Sequence, residues 1–236
     1  MSASDAEREV LARIRGASRR SSDAQIAAEL AALPGTRAAP LTGATLCDNL
    51  QQRLERNGAT TAVAQTRRDA VLEISRFIGL KHRLRRVVTG HDPRLAALPW
   101  RDGGLLPRFD VAQTEDAVSV SYAYCAVAET GSLALLLNRN NPALNNLLVE
   151  DQIILVDRHD IHARLESIWD APGLESGSYE SVTQGARAQV VRPRGLMMIS
   201  GPSSTADIAM QLVLGAHGPR ALHVVIVGSD IEHPKR

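Results

Sequence analysis

Apolar positions along this chain follow two rhythms, and the change between them marks its organisation. In the first 32 residues, Val10, Leu11 and Ile14 share one helical face, and Ile26, Leu30 and Leu33 share another. Two short helices are predicted there. Residues 34–40, made of Pro, Gly and small or polar residues, break the pattern and read as a linker. Residues 1–35 are expected to form a helical arm that packs on the main domain or on a partner. Residues 41–236 are expected to form an α/β domain.

Beyond Leu41 the elements alternate. Residues 43–57 read as a helix closed by Asn57-Gly58, a pair that tolerates positive φ. A strand at 61–64 follows, then a helix at about 68–80 with Val71, Leu72, Ile74, Ser75 and Ile78 set for a buried stripe. A second strand is predicted at 86–89, and residues 90–105 read as a loop with a short helix. The later half is richer in strand, at 118–127, 133–137, 153–156, 196–199 and 222–227. Short apolar runs flanked by Gly, Asp or Pro fit strands buried on both faces of a parallel sheet. Helices are placed between them at about 159–169, 178–188 and 206–214. The alternation predicts an α/β fold: an open, mainly parallel sheet with helices on both faces.

Composition narrows the function classes. At 236 residues, with 44% hydrophobic and 22% charged, the chain can bury a core of ordinary size. A net charge of +1 gives no electrostatic footprint for nucleic acid or an anionic membrane. Aromatics at 3% leave little for base stacking. The first twenty residues are charged and lack an apolar core, so no secretory leader is expected and the protein reads as cytoplasmic. Apolar runs such as 133–137 and 224–227 are too short to span a bilayer. Only two cysteines are present, Cys47 and Cys125, too few for an iron–sulfur cluster and without a CxxC pair for structural zinc. His159 and His162 lie three apart, but no third ligand accompanies them, so no metal is expected. No Walker A loop or complete dinucleotide fingerprint is present, and no cofactor is expected.

Three turns carry the candidate chemistry. In Ser200-Gly201-Pro202-Ser203-Ser204-Thr205-Ala206-Asp207, a predicted strand runs through glycine and hydroxyl residues into a predicted helix. Free N–H groups at such a helix start, capped by Ser203, Ser204 or Thr205, suit a phosphate or carboxylate. The turn is expected at the carboxyl ends of the strands, where open α/β sheets bind ligands. The same residues equally suit a plain strand-to-helix turn. In Ala128-Glu129-Thr130-Gly131-Ser132, a carboxylate interrupts two apolar strands. Glu129 is a candidate base or nucleophile, or else a turn carboxylate satisfied by solvent and backbone. Gly215-Ala216-His217-Gly218-Pro219 precedes the last strand, with His217 a candidate for proton transfer and Gly218 beside it. Gly215 and Gly218 equally serve simply to end a helix. Together, Thr130, Gly131, Gly201, Pro202, Ser203, Ser204, Thr205, Asp207 and Gly218 form the expected binding site for a small anionic ligand.

Taken in register, these segments resemble the lactate utilization protein C family, whose members carry the LUD domain. The matching stretches are AETGSLAL at 128–135, GPSSTADI at 201–208 and GAHGPRALHVVIVG at 215–228, with the weaker DQIILVD at 151–157 between them. The resemblance covers roughly residues 40–228. It implies a fold like that of sugar-phosphate isomerases and coenzyme A transferases. It also implies an accessory role in oxidising L-lactate to pyruvate alongside iron–sulfur partner proteins. The chain departs from the family at Ser204, where an arginine is usual, and in Asn141-Pro142-Ala143-Leu144-Asn145-Asn146-Leu147, where an Arg and a Leu-Pro pair are usual. Without the arginine, one bidentate partner for a carboxylate is lost. Two further readings stay open: a transferase- or isomerase-like enzyme using Glu129, and a regulatory or assembly module without catalysis.

Overall fold

The computed structural model describes residues 3–17, 22–32, 41, 43–82, 85–168, 180–181, 189–190, 193–206 and 212–228. The chain divides into two compact units, Met1–Arg37 and Ala38–Arg236. The first contains α1 (Ala3–Ala17) and α2 (Asp23–Ala32). Ser22 caps α2: its hydroxyl accepts from the Gln25 N–H, and the Gln25 side chain accepts from the Ser22 N–H. Val10, Leu11, Ile26 and Leu30 from the predicted stripes are exposed. Leu33 lies outside the described residues.

The second unit opens with α3 (Leu46–Arg56), β1 (Thr60–Ala64) and α4 (Arg67–Lys81). Both helices start with reciprocal caps, Thr45 with Asp48 and Thr66 with Asp69. Next come β2 (Arg86–Thr89), the single turn α5 (Pro93–Ala96), a 3-10 turn at Trp100–Gly103 and β3 (Leu106–Phe109). Then follow β4 (Val118–Tyr122), β5 (Cys125–Val127), β6 (Ser132–Leu137) and β7 (Asp151–Asp157). After β7 lie β8 (Ile161–His162), β9 (Glu180–Ser181), β10 (Gln189–Val190) and β11 (Gly195–Ile199). The described chain closes with β12 (Ser204–Ala206), β13 (Leu212–Leu214) and β14 (Ala221–Val227).

Six strands form the main sheet in the order β1-β14-β7-β4-β2-β3. Every pairing in it is parallel. Strand β7 is buried along its whole length, as a central parallel strand covered on both faces must be. One face packs against α4, where Val71, Ile74 and Ile78 are fully buried against Val120, Ile153, Leu155 and Val225. Truncating Ile74 to alanine there removes about 2–5 kcal/mol. The opposite face packs against α3 and a second sheet. Leu50 and Leu54 of α3 meet Leu133, Leu135, Ile154, Val224 and Ile226. That second sheet, ordered β11-β6-β5-β8, is antiparallel except at β5-β8. The α/β expectation therefore holds, but half the cover on one face is sheet.

Several expected elements take another form. The stretch 118–127 is not one strand: Ala123-Tyr124 breaks it, so that β4 lies in the main sheet and β5 in the second. In place of a helix at 159–169, two 3-10 turns flank β8, because Ile161 pairs with Ala126 in the second sheet. His159 and His162 therefore do not share a helix face. Within 178–188, Glu180–Ser181 is strand, paired with Gln189–Val190, and residues 182–188 lie outside the described residues. The helix expected at 206–214 is strand at both described ends, with Thr205 paired to Val213. β-Branched residues at both positions favour a ladder over a helix.

Candidate functional site

The three motif turns meet around the carboxyl end of α3. Asn57, its C-cap, donates from its side-chain amide to the Thr130 carbonyl at 3.3 Å. The Asn57 carbonyl lies so close to Gly201 that a Cβ there would sit 2.5 Å from it. Gly58, at φ +87, packs against Pro202, whose Cδ is 3.7 Å from where its own Cβ would be. The 215–219 turn closes the cluster: the Ser203 N–H donates to the Pro219 carbonyl at 2.8 Å, and the Gly215 N–H to the Ser203 carbonyl at 2.8 Å.

Gly131 shows why the sequence folds this way. It adopts φ +70, and a Cβ on it would sit 2.8 Å from the Arg53 Cβ and 3.0 Å from the Arg53 carbonyl carbon. Only glycine permits both the left-handed turn and this approach of the β5–β6 hairpin to α3. Hydroxyls then tie hairpin to turn. Thr130 Oγ1 donates to Ser132 Oγ at 2.8 Å, and Ser132 Oγ lies 2.7 Å from Ser200 Oγ. Glu129, half-buried, donates its backbone N–H to the Ala163 carbonyl at 3.2 Å. Thr130, Ser204 and His217 are exposed, and Gly201, Pro202, Ser203 and Gly218 are half-buried. The backbone of Thr205 lies in β12, and Asp207 lies outside the described residues.

The location and chemistry of this cluster differ from the expectation. It stands where α3 turns into the start of β1 and where residue 219 leads into β14. That is the amino edge of the parallel sheet, not the carboxyl edge. Strand β11 runs antiparallel to β6 in the second sheet, and this delivers Gly201 to the opposite end. The helix end at this place is the carboxyl end of α3, which presents carbonyl oxygens and the negative end of a dipole. Hydroxyls and an amide supply donors here in place of a helix start, with Arg53 and Arg56 in the last turn of α3 and Arg220 beside Gly215.

A second polar constellation, unread from the sequence, lies at the carboxyl edge, where β2, β4 and β7 end. Asp92 caps α5 and grips Arg94 with both oxygens, at 3.1 Å to Nε and 2.8 Å to one terminal nitrogen. The other terminal nitrogen donates to the Ala123 carbonyl at 3.3 Å. The guanidinium stacks 3.9 Å from the centre of the Tyr122 ring, and the Tyr122 hydroxyl donates to Asp157 at 2.8 Å. Burial, with Asp157 adding to it, pushes the Tyr122 pKa well up, so the hydroxyl stays a donor. Burial opposes the charge on Arg94, but Asp92, joined by Tyr122 and Asp157, more than offsets it and keeps the guanidinium charged. The only signal in the sequence was an Asp or Tyr at each strand end, spread over 66 positions (92 to 157).

Both cysteines are buried and unbridged. Burial, with Asp160 nearby, pushes the Cys125 thiol up to about 12, which keeps it protonated and unreactive. Among the described residues, no three His, Cys, Asp or Glu side chains are grouped to hold a metal ion, and no helix is long and apolar enough to cross a membrane.

Residues 114–227 match the family model of the LUD domain. Lactate utilization protein C of Halalkalibacterium halodurans is 30% identical over 118 residues, covering 49% of this chain and 47% of that protein. Its counterpart in Bacillus subtilis is 27% identical over 119 residues, covering 50% and 45%. An uncharacterized protein of Neisseria meningitidis is 28% identical over 162 residues, covering 64% and 63%. The chain thus spans about half to two thirds of the length of these curated relatives. Among solved structures, a DUF162 family protein from Deinococcus radiodurans superposes with a TM-score of 0.53 at 19% identity, over 80% of this chain and 100% of that one. That likeness establishes the fold.

Proposed function

We propose, from the premise that this chain belongs to the lactate utilization protein C family of LUD-domain proteins, that it is an accessory protein of L-lactate utilization. In this reading it works beside iron–sulfur proteins that oxidise L-lactate to pyruvate, and it carries no electron-transfer centre itself. Two cysteines are too few for the four thiolates that an iron–sulfur cluster usually takes, which supports placing the clusters on partner proteins. The observation that supports the reading is the meeting of the 128–132, 200–203 and 215–219 turns around Asn57-Gly58. Segments far apart in the chain contribute one continuous surface, with Thr130 and His217 exposed on it. That surface takes a partner protein or a small anion held by the Thr130, Ser132, Ser200 and Ser203 hydroxyls. Removing the gene should abolish growth on L-lactate as sole carbon source and leave growth on pyruvate intact. Unchanged growth on L-lactate would overturn the proposal.

One observation favours a second reading, an enzyme of the transferase or isomerase kind. Glu129 is half-buried and directly precedes Thr130, the first of three hydrogen-bonded hydroxyls, and its carboxylate is the acid–base group that this reading requires. In that case purified protein turns over a coenzyme A thioester or a sugar phosphate, and Glu129→Gln abolishes the turnover. Turnover that survives Glu129→Gln removes Glu129 from the chemistry.

A further inference from the structure

The Asn57-Gly58 pair that ends α3 is a reactive sequence as well as a helix stop. Seven asparagines occur in the chain, and Asn57 alone is followed by glycine. A glycine nitrogen has no side chain beside it to hinder attack on the preceding side-chain amide. We propose that Asn57 is a deamidation site whose conversion dismantles the amino-edge surface. The consequence for lactate use rests on the role proposed above; the chemistry at Asn57 does not.

The Gly58 nitrogen, once it has lost its proton, attacks Cγ of Asn57, and the side-chain nitrogen leaves as ammonia. A cyclic imide then joins the two residues. Water opens the ring at either carbonyl, leaving aspartate or, with the main chain rerouted through Cβ and Cγ, isoaspartate. Water is the only co-reactant, and Asn57 is exposed to it. Asn49, Asn145 and Asn146 are buried, and Asn138, Asn140 and Asn141 precede Arg139, Asn141 and Pro142. In the closed cluster the Gly58 N–H donates to the Glu55 carbonyl at 3.0 Å, and the Asn57 amide to the Thr130 carbonyl at 3.3 Å. Both bonds must break before the ring forms, so the reaction runs when the end of α3 frays. Helix ends open far more readily than the core.

Both products place a negative charge inside the cluster. Aspartate turns the donor to Thr130 into an acceptor, so that two oxygens face each other. Isoaspartate turns the Asn57 carbonyl into a free carboxylate, and that carbonyl oxygen is the atom a Cβ on Gly201 would approach to 2.5 Å. The extra backbone carbon also shifts Gly58, which packs against Pro202. A negative charge at the carboxyl end of a helix opposes its dipole. Arg53 and Arg56, in the last turn of α3, draw the new carboxylate off the hairpin without replacing the lost donor.

Full-length protein held at mildly alkaline pH, followed by peptide mass spectrometry and hydrogen exchange, tests this. The mass change that replaces a side-chain NH2 by OH should appear at Asn57 ahead of the other six asparagines, in two chromatographic forms. Exchange of the Gly131 and Ser203 amides should rise about tenfold as conversion proceeds, the effect of losing one hydrogen bond. Freshly purified Asn57→Asp should show that rise at once, and Asn57→Ala, which loses the tie without gaining charge, a smaller one. Asn57→Gln, whose longer side chain disfavours the ring, should stay unmodified, with exchange that does not drift over time. Should circular dichroism show that Asn57→Gln does not fold, Gly58→Ala serves as the blocked variant, its methyl group hindering the attack. Conversion at Asn57 no faster than at the other asparagines, or conversion with unaltered exchange, would overturn the inference. The proposed role fails separately: faster exchange in Asn57→Asp with normal growth on L-lactate defeats the amino-edge role and leaves the chemistry standing.

Discussion

The two edges of the six-stranded sheet bring distant residues together by different means. At the amino edge, backbone approaches backbone: Gly131 and Gly201 let a hairpin and a turn press onto the end of α3, and neutral hydroxyls, an amide and backbone hydrogen bonds link them. At the carboxyl edge, side chains make the contacts, with Asp92, Arg94, Tyr122 and Asp157 joined by charge. A backbone-built edge depends on shape. A charge-built edge depends on side-chain chemistry. The first fails when a side chain is added, the second when one is trimmed.

The largest effect should come from adding bulk at the amino edge. Gly131→Val requires a β-branched residue at φ +70 with its Cβ against Arg53, and should destabilise the protein by about 3–4 kcal/mol in urea unfolding. A loss below about 1 kcal/mol would mean that the hairpin can back away from α3, and the backbone-built description would fail.

Acid should act next, through His223 on β14. Its ring stacks on Phe77 at 4.5 Å, and its Nδ1 lies 2.8 Å from the Thr60 hydroxyl. Burial lowers its pKa from 6.5 to about 4, with Glu73 opposing the shift. The folded state keeps the ring neutral while the unfolded chain binds a proton below pH 6.5. Stability from this group is therefore complete above pH 6.5 and is lost as pH falls toward 4, by up to about 3 kcal/mol. His223→Gln should flatten that part of the profile. An unaltered slope would assign the acid sensitivity to carboxylates instead.

Trimming the carboxyl edge should cost less. Tyr122→Phe removes one donor from a buried carboxylate and should lower stability by about 1–2 kcal/mol. The smallest effect belongs to Ser132→Ala, which cuts the hydroxyl chain in its middle and should cost about 1 kcal/mol. If Ser132→Ala proves costlier than Tyr122→Phe, the contrast between the two edges is wrong.

The same contrast explains what could be read from the residues alone. Glycines and hydroxyls that shape a turn stand next to one another in the chain, so the 128–132, 201–205 and 215–219 turns stood out as motifs. Helices α3 and α4 were legible for a related reason, since cap, apolar stripe and terminus are all local. The edge on which the motifs lie was not legible, because it depends on β6 and β11 leaving the main sheet for an antiparallel one. Apolar runs of that length look alike in either sheet. The 206–214 segment misled because Ser203 to Thr205 resemble a helix cap, whereas Thr205 and Val213 pair across a hairpin. Asp92, Arg94, Tyr122 and Asp157 passed unnoticed because Asp92 and Arg94 lie at the start of α5 after β2, Tyr122 ends β4 and Asp157 ends β7, and the parallel register brings them together.

The claim that the amino edge is the working surface for lactate use is tested most directly by growth of a strain whose chromosomal copy carries Thr130→Arg. Thr130 is exposed, so the change places a long charged side chain on the surface without touching the core. Growth on L-lactate should fall to the level of the gene deletion while growth on pyruvate and the amount of folded protein stay normal. Full growth on L-lactate with Thr130→Arg in place would contradict the account.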